Sequence, residues 1–187
     1  MKLHLRKAAA SAVGTAVVVT VFATLGVGTP ANAAADSCRG VAATMFAEPG
    51  VTTTGTDGND VIVGTSGDDV INPGEGNDLV CAGPGNDTVR GDGGNDRLYG
   101  QGGDDSVFGG VGSDKVYGNA GNDEVRGQSD DDKVLGGQDD DYVYGNAGDD
   151  TLYGGSGDDH LLGGQGTDTC TDADPGTGFQ SCESSPV

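Results

Sequence analysis

Tryptophan is absent from this 187-residue chain, aromatic residues make up only 5%, and lysine and arginine together number nine. The shortage of cations leaves a formal net charge of −21, which would repel phosphates and argues against nucleic acid as a partner. Glycine, by contrast, occurs 37 times. A composition so rich in glycine and negative charge would by itself indicate disorder.

The residues that usually carry catalysis are also scarce. His160 is the one histidine beyond the N-terminal leader, and no G-x-S-x-G motif occurs. Adjacent acids such as Asp158 and Asp159 could mimic a glycosidase pair, but the same pair recurs along the chain, which favours a structural role. We therefore expect no enzyme, and a screen against ester, peptide and glycan substrates would test this expectation.

Residues 1–33 have the layout of a secretory signal peptide. Lys2, Arg6 and Lys7 precede an apolar stretch over residues 8–28, and an A-x-A cleavage site ends at Ala33. A retained membrane anchor is the alternative, since 21 apolar residues could span a bilayer. Cleavage predicts a soluble, extracellular protein with a charge of about −24, because three cations leave with the leader.

Four cysteines follow the leader: Cys38, Cys81, Cys170 and Cys182. An even count in an exported protein favours two disulfides, for which three connectivities exist. The short separation of Cys170 and Cys182 favours their pairing, which leaves Cys38 for Cys81. Free thiols are the alternative, and the spacing matches no zinc site.

Thirteen nonapeptides run without a gap from Gly55 to Thr171, and each has aspartate at its sixth position. A disordered chain of low complexity would not keep its phase over 117 residues, so the period indicates one small unit stacked many times. These aspartates are the candidate metal ligands: Asp60, Asp69, Asp78, Asp87, Asp96, Asp105, Asp114, Asp123, Asp132, Asp141, Asp150, Asp159 and Asp168.

The other repeat positions predict the fold. Glycine fills positions 1 and 4 in 11 of 13 units each, so positions 1–6 are expected to form a turn. Position 8 is always apolar, so positions 7–9 are expected to form a short strand with position 8 facing inward. Two units would make one coil of 18 residues, with odd and even repeats building two separate parallel sheets. Position 9 would then form external ladders.

Carboxylates stacked at coil spacing repel one another, so the array should need a cation. Carboxylate and carbonyl oxygens are hard ligands that favour Ca²⁺ over zinc, copper or Mg²⁺. The repeat also resembles the RTX, or hemolysin-type, calcium-binding repeat, since residues 109–117 closely match its consensus G-G-x-G-x-D-x-U-x. The resemblance implies a right-handed parallel β-roll in which the position-6 aspartates and turn carbonyls hold Ca²⁺ between coils. One ion between same-edge neighbours gives a ceiling of about eleven.

Some units depart from this pattern. Pro73 and Ala82 replace the glycine at position 1, and Asp130 and Asp139 replace the glycine at position 4. Such units could be weakened sites or sites with additional carboxylate ligands. The runs of three aspartates could equally be a solvated acidic patch.

The repeat domain, residues 55–171, leaves little room for anything else. Residues 34–54 and 172–187 are expected to be caps, with Met45 and Phe46 covering the first coil and Phe179 the last. The leading hypothesis is a secreted calcium-binding protein, similar to bacterial ones, that folds on Ca²⁺ after export. The alternative is a calcium-dependent adhesin that binds a cell-surface or glycan partner through outward tyrosines: Tyr99, Tyr117, Tyr144 and Tyr153.

Overall fold

The computed structural model describes residues 37–48, 50–173 and 180–182. The predicted signal peptide and Phe179 lie outside these residues. Every regular element in the described part is a β-strand. No helix in that part is both long and apolar enough to cross a membrane.

A short antiparallel hairpin opens the described chain, formed by β1 (Ser37–Cys38) and β2 (Val41–Ala42). Sixteen strands follow in chain order: β3 Met45–Phe46, β4 Thr52–Thr54, β5 Val61–Val63, β6 Val70–Asn72, β7 Leu79–Pro84, β8 Thr88–Arg90, β9 Arg97–Gly102, β10 Ser106–Val111, β11 Lys115–Ala120, β12 Glu124–Ser129, β13 Lys133–Gln138, β14 Tyr142–Ala147, β15 Thr151–Ser156, β16 His160–Gln165, β17 Thr169–Thr171 and β18 Gln180–Ser181.

Alternate strands join two parallel sheets of eight strands each. The first sheet contains the odd-numbered strands β3 to β17, and the second contains the even-numbered strands β4 to β18. Within the repeats each residue pairs with the residue 18 positions away, as Val116 does with Leu98 and Val134. The predicted all-β solenoid, with two repeats in each coil and two parallel sheets, is confirmed.

Most repeat strands are longer than the sequence predicted. They have six residues rather than three, because positions 1–3 of the next unit continue the strand. In β11, for example, Asn119 and Ala120 pair with Gly137 and Gln138 of β13. The expectation that positions 1–6 form a turn was therefore wrong. The parallel neighbour supplies backbone hydrogen bonds as far as position 3, and the turn is confined to positions 4–6.

The core is a single column of position-8 side chains between the sheets. From Ile62 to Leu161 every one of them is fully buried, and Cys170 at the end is partly buried. Since position 7 and position 9 side chains leave the opposite face of each strand, burial of position 8 alone fixes the register.

Both predicted caps continue the sheets. Strand β3 pairs with β5 and Met45 packs against the core, but Phe46 is 53% exposed and so does not cover it. At the other end β18 pairs with β16. Disulfides join Cys38 to Cys81 and Cys170 to Cys182, with Cα atoms 5.5 and 5.9 Å apart. This is consistent with the predicted pairing.

Position-9 side chains stack into ladders on the outer faces. On the first sheet the rings of Tyr99 and Tyr117 lie face to face, with centroids 4.6 Å apart. Arg39 covers Tyr99, which is only 8% exposed, so the expectation of an exposed tyrosine at this position was wrong. The second sheet alternates cations and rings, with Arg126 lying 5.9 Å from the Phe108 centroid and 4.5 Å from that of Tyr144. Such contacts stabilise neighbouring strands.

Candidate calcium centre

Position-6 aspartates end each turn and point away from solvent. Every one from Asp60 to Asp159 is buried, none more than 7% exposed, and Asp168 is partly buried. Hydrogen bonds between residues 18 apart place them in two columns, one for the odd repeats and one for the even repeats. Burying twelve acidic side chains in such a row is expensive unless each negative charge is compensated.

One oxygen of each carboxylate has a backbone partner from the third repeat onward. The N–H of Asp60 donates to Oδ1 of Asp78 at 2.7 Å, and the same bond recurs along both columns up to the N–H of Asp150 and Oδ1 of Asp168 at 3.0 Å. Each carboxylate is thus hydrogen-bonded to the coil before it. These bonds orient the second oxygen, Oδ2.

That second oxygen has no partner in the later repeats. Oδ2 is buried without a hydrogen bond in eleven aspartates: Asp78, Asp87, Asp96, Asp105, Asp114, Asp123, Asp132, Asp141, Asp150, Asp159 and Asp168. A buried carboxylate oxygen left unsatisfied carries its full desolvation penalty. Its repetition in each of these eleven units indicates a place for a cation.

The glycine at position 1 leaves room beside this oxygen. A Cβ built on Gly91 would lie 2.5 Å from Oδ2 of Asp96 and would also overlap the carbonyl oxygen of Gly109 in the next coil. A Cβ on Gly109 would overlap Oδ2 of Asp114 and lie 2.5 Å from the carbonyl oxygen of Gly127. Beside each of these two glycines a carboxylate oxygen and a carbonyl oxygen of the adjacent coil therefore approach the same small space.

Burial raises the pKa of the position-6 carboxyl groups from Asp78 to Asp159. Desolvation is the main cause, backbone hydrogen bonds oppose it, and neighbouring aspartates add to it. The pKa rises from the ordinary 3.8 to about 7 in Asp96 and Asp105, and to about 8 in Asp132 and Asp141. Without a cation the folded array thus holds protons near neutral pH.

Position 5 builds a second ladder on the turn, running in the opposite direction. Oδ1 of Asn59 accepts from the N–H of Asn77, and Oδ1 of Asn77 accepts from the N–H of Asn95, at 2.9 and 2.7 Å. These bonds tie successive turns together, so the carboxylates of position 6 are held at a fixed spacing.

The first two repeats are built differently. Oδ2 of Asp60 accepts hydrogen bonds from the N–H and Oγ1 of Thr56, at 2.7 and 2.9 Å. Oδ2 of Asp69 accepts the same two bonds from Thr65, at 2.7 and 3.0 Å. The sequence-based reasoning grouped these two aspartates with the other eleven and missed the threonines. A signal was present, since threonine stands at position 2 in these two units alone.

The units with three consecutive aspartates keep the general geometry under strain. Asp130 and Asp139 adopt positive φ angles of 73° and 71°, where other units have glycine. Oδ2 of Asp130 accepts a bond from the N–H of Gly112 at 3.1 Å. Each added carboxylate raises the pKa of its position-6 neighbour, Asp132 or Asp141. A strained, non-glycine turn beside a buried carboxylate is typical of functional sites.

This donor set fits one class of ion. Within the described residues, no three acidic, histidine or cysteine side chains converge as a metal-binding group. The ligands available at each turn are one carboxylate oxygen and backbone carbonyl oxygens, which suit a hard cation with flexible coordination, as Ca²⁺ is. From Asp78 onward each aspartate predicted as a ligand has one buried oxygen without a hydrogen bond.

Comparison with known proteins identifies the repeat. A search of curated proteins found no similar sequence. A family model, the RTX calcium-binding nonapeptide repeat, matches four times, at residues 54–89, 82–116, 108–143 and 135–170. Together the matches cover residues 54–170, which is more than half of the chain. The protein therefore belongs to the family of RTX calcium-binding repeat proteins.

Proposed function

We propose that this protein is a secreted calcium-binding β-roll whose repeats fold when Ca²⁺ is bound after export. The observation that carries the proposal is the row of buried Oδ2 atoms without hydrogen-bond partners. In the absence of a cation, folding must bury these like charges or protonate them. Ca²⁺ supplies the positive charge that makes their burial favourable.

The residues that would hold the ions are the position-6 aspartates from Asp78 to Asp168, together with turn carbonyls. With one ion between same-edge neighbours, the six odd-repeat and five even-repeat carboxylates of this set give five and four ions, nine in all, against the ceiling of about eleven for all thirteen aspartates. About nine Ca²⁺ ions would offset most of a mature charge of about −24. Extracellular calcium modules bind with Kd values of about 10⁻⁴–10⁻³ M, so export from a calcium-poor compartment would itself trigger folding. We propose no catalytic role: the ring of His160 stacks on Tyr142, with centroids 5.0 Å apart.

The test is reversible folding on Ca²⁺. The chain beginning at Ala34, with its disulfides intact, is expected to show mostly disordered far-UV circular dichroism in EDTA at pH 7.5 and to regain β structure on addition of Ca²⁺. Mg²⁺ at the same concentration is the control, and it should be much less effective because it requires strict octahedral geometry. A fully folded spectrum in EDTA would refute the proposal.

A second candidate function is calcium-dependent binding to an anionic surface polymer, the adhesin alternative. Arg97, Lys115 and Lys133 are exposed and lie in register on the outer face of the first sheet. In the described strands of that sheet from Val61 to Thr171, positions 7 and 9 hold no carboxylate. A cation column on an otherwise acidic protein favours an anionic ligand. The tyrosines contribute less than expected, because Tyr99 is buried against Tyr117.

Two variants of equal charge change can test this candidate. Arg97→Gln/Lys115→Gln removes two cations from the first sheet, and Arg90→Gln/Arg126→Gln removes two from the second. Retention on heparin-coated beads in Ca²⁺, with dextran beads as the neutral control, should fall only in the first variant. Equal loss in both variants, or no retention of the calcium-folded wild type, would refute it.

A further inference from the structure

The threonines of the first two repeats occupy the position that a cation would take in the others. In later units Oδ2 of the aspartate is buried without a partner, whereas Oδ2 of Asp60 and Asp69 each accept two hydrogen bonds from a threonine of the same unit. A carboxylate oxygen that accepts two hydrogen bonds is already satisfied and does not need a metal ion as a partner.

The backbone φ angles of these two turns also differ from those of the later repeats. From the third repeat onward the described residues at positions 2 and 4 have positive φ angles, for example 105° at Gly74 and 125° at Gly76. Thr56, Thr65, Gly58 and Gly67 are not among the positive-φ residues. Since a β-branched residue strongly disfavours positive φ, threonine at position 2 selects the other turn.

That alternative turn is closed by the threonine hydroxyl. Oγ1 of Thr56 accepts from the N–H of Gly58 at 3.1 Å while it donates to Asp60, and Oγ1 of Thr65 makes the equivalent pair of bonds with Gly67 and Asp69. The hydroxyl thus satisfies both the carboxylate and the turn. In these two units a threonine side chain therefore bridges the turn and the carboxylate.

Each of these carboxylates also lacks the neighbour that orients the later ones. Oδ1 of Asp60 is 3.5 Å from Oγ1 of Thr44, and Oδ1 of Asp69 is buried without a partner. Neither accepts the backbone hydrogen bond from a repeat one coil earlier. Asp69 therefore keeps one free oxygen, but on the side where no preceding repeat turn completes a cage.

Resting on the proposed function, we propose that Thr56 and Thr65 exclude calcium from the first two repeats, so that the run of calcium sites begins at Asp78. These threonines determine which repeats are calcium sites. They act as built-in substitutes for the metal at the end of the roll nearest the Cys38–Cys81 disulfide. The first coil would then keep its hydrogen bonds whether or not Ca²⁺ is present.

The test is the number of bound ions per chain. Equilibrium dialysis with metal analysis at saturating Ca²⁺ would compare the wild type with Thr56→Gly/Thr65→Gly, which restores the glycine found at position 2 in several later units. We expect the count to rise by two. The control Thr56→Ser/Thr65→Ser retains both hydroxyls and should bind the same number as the wild type.

A folded glycine variant with an unchanged count would overturn the inference, and so would a gain in the serine variant. If the glycine variant does not fold, anomalous scattering from Ca²⁺ in wild-type crystals decides. We expect no ion in contact with Oδ2 of Asp60 or Asp69, and an ion there would overturn the inference. A wild-type count of zero would instead remove the proposed function itself, and with it any contrast between the repeats.

Discussion

The first two repeats and the later ones share one sequence pattern, but they differ in what surrounds the buried oxygen Oδ2 of the position-6 aspartate. In the unit that begins at Gly55 a threonine hydroxyl bridges the turn and the aspartate, whereas in the unit that begins at Gly109 the equivalent oxygen of Asp114 is buried alone. The hydrophobic position, Ile62 or Val116, is fully buried in both. The buried core is thus common to both kinds of unit, and the units differ in how the carboxylate of the turn is satisfied.

The largest expected difference between the two regions is in their response to pH without calcium. The pKa of Asp132 and Asp141 is about 8 in the folded protein against an ordinary 3.8, so folding takes up protons that the unfolded chain releases. The calcium-free roll should therefore be most stable below about pH 4 and lose that stability as pH rises towards 8. Circular dichroism in EDTA from pH 4 to pH 8 should show β structure lost with rising pH.

The same experiment in saturating Ca²⁺ is the control. There the spectrum should change little between pH 6 and pH 8, because the carboxylates are already ionised and paired with the metal. A calcium-free protein that instead gained β structure with rising pH would contradict the account of the buried carboxylates.

A smaller, local difference concerns the glycine at position 4. Gly112 has a φ of +117° and a Cβ there would overlap the carbonyl oxygen of Gly94, whereas Gly67 lacks a positive φ and a Cβ on it would meet no atom within 4 Å. Gly112→Ala should cost about 2–4 kcal/mol of unfolding free energy from strain and overpacking. Gly67→Ala should stay within about 0.5 kcal/mol. Urea unfolding in Ca²⁺ would measure both, and equal costs would show that the two turns are not distinct.

The smallest expected difference between the two regions comes from replacing one position-6 carboxylate in each. Asp132→Asn should raise the Ca²⁺ concentration needed for folding by about tenfold, because a ligand is lost, while Asp69→Asn should change it by less than about twofold. In EDTA, by contrast, Asp132→Asn should stabilise the folded state. The amide can still accept the hydrogen bond from the N–H of Asp114, and no charge is buried. Calcium titrations followed by circular dichroism would show the first effect, and the β content that remains in EDTA between pH 6 and pH 8 would show the second.

Much of this architecture could be read from the sequence because few positions determine it. The apolar residue at position 8, repeated every nine residues, was enough to predict a coil of two repeats and two parallel sheets, and both are present. The carboxylate columns followed from the fixed position 6. Strand length could not be predicted, since the pairing of Asn119 with Gly137 depends on a neighbouring coil rather than on local propensity.

The nine-residue pattern also did not predict that the first two repeats differ from the later ones. Thr56 and Thr65 are ordinary turn residues in sequence, and their role depends on a hydrogen bond to a carboxylate four positions later. The covering of Tyr99 by Arg39 depends on where the N-terminal hairpin packs, which no periodicity encodes. In the first case a hydrogen bond within the repeat, and in the second a contact from outside the array, decided what a repeat residue does.

Hydrogen exchange measured by mass spectrometry, with and without Ca²⁺ at pH 7.5, tests the central claim most directly. If a cation is what allows the buried carboxylates from Asp78 to Asp159 to coexist, the amides of strands β7 to β16 should be strongly protected in Ca²⁺ and exchange rapidly in EDTA. Equal, strong protection of these strands in both conditions would contradict the account.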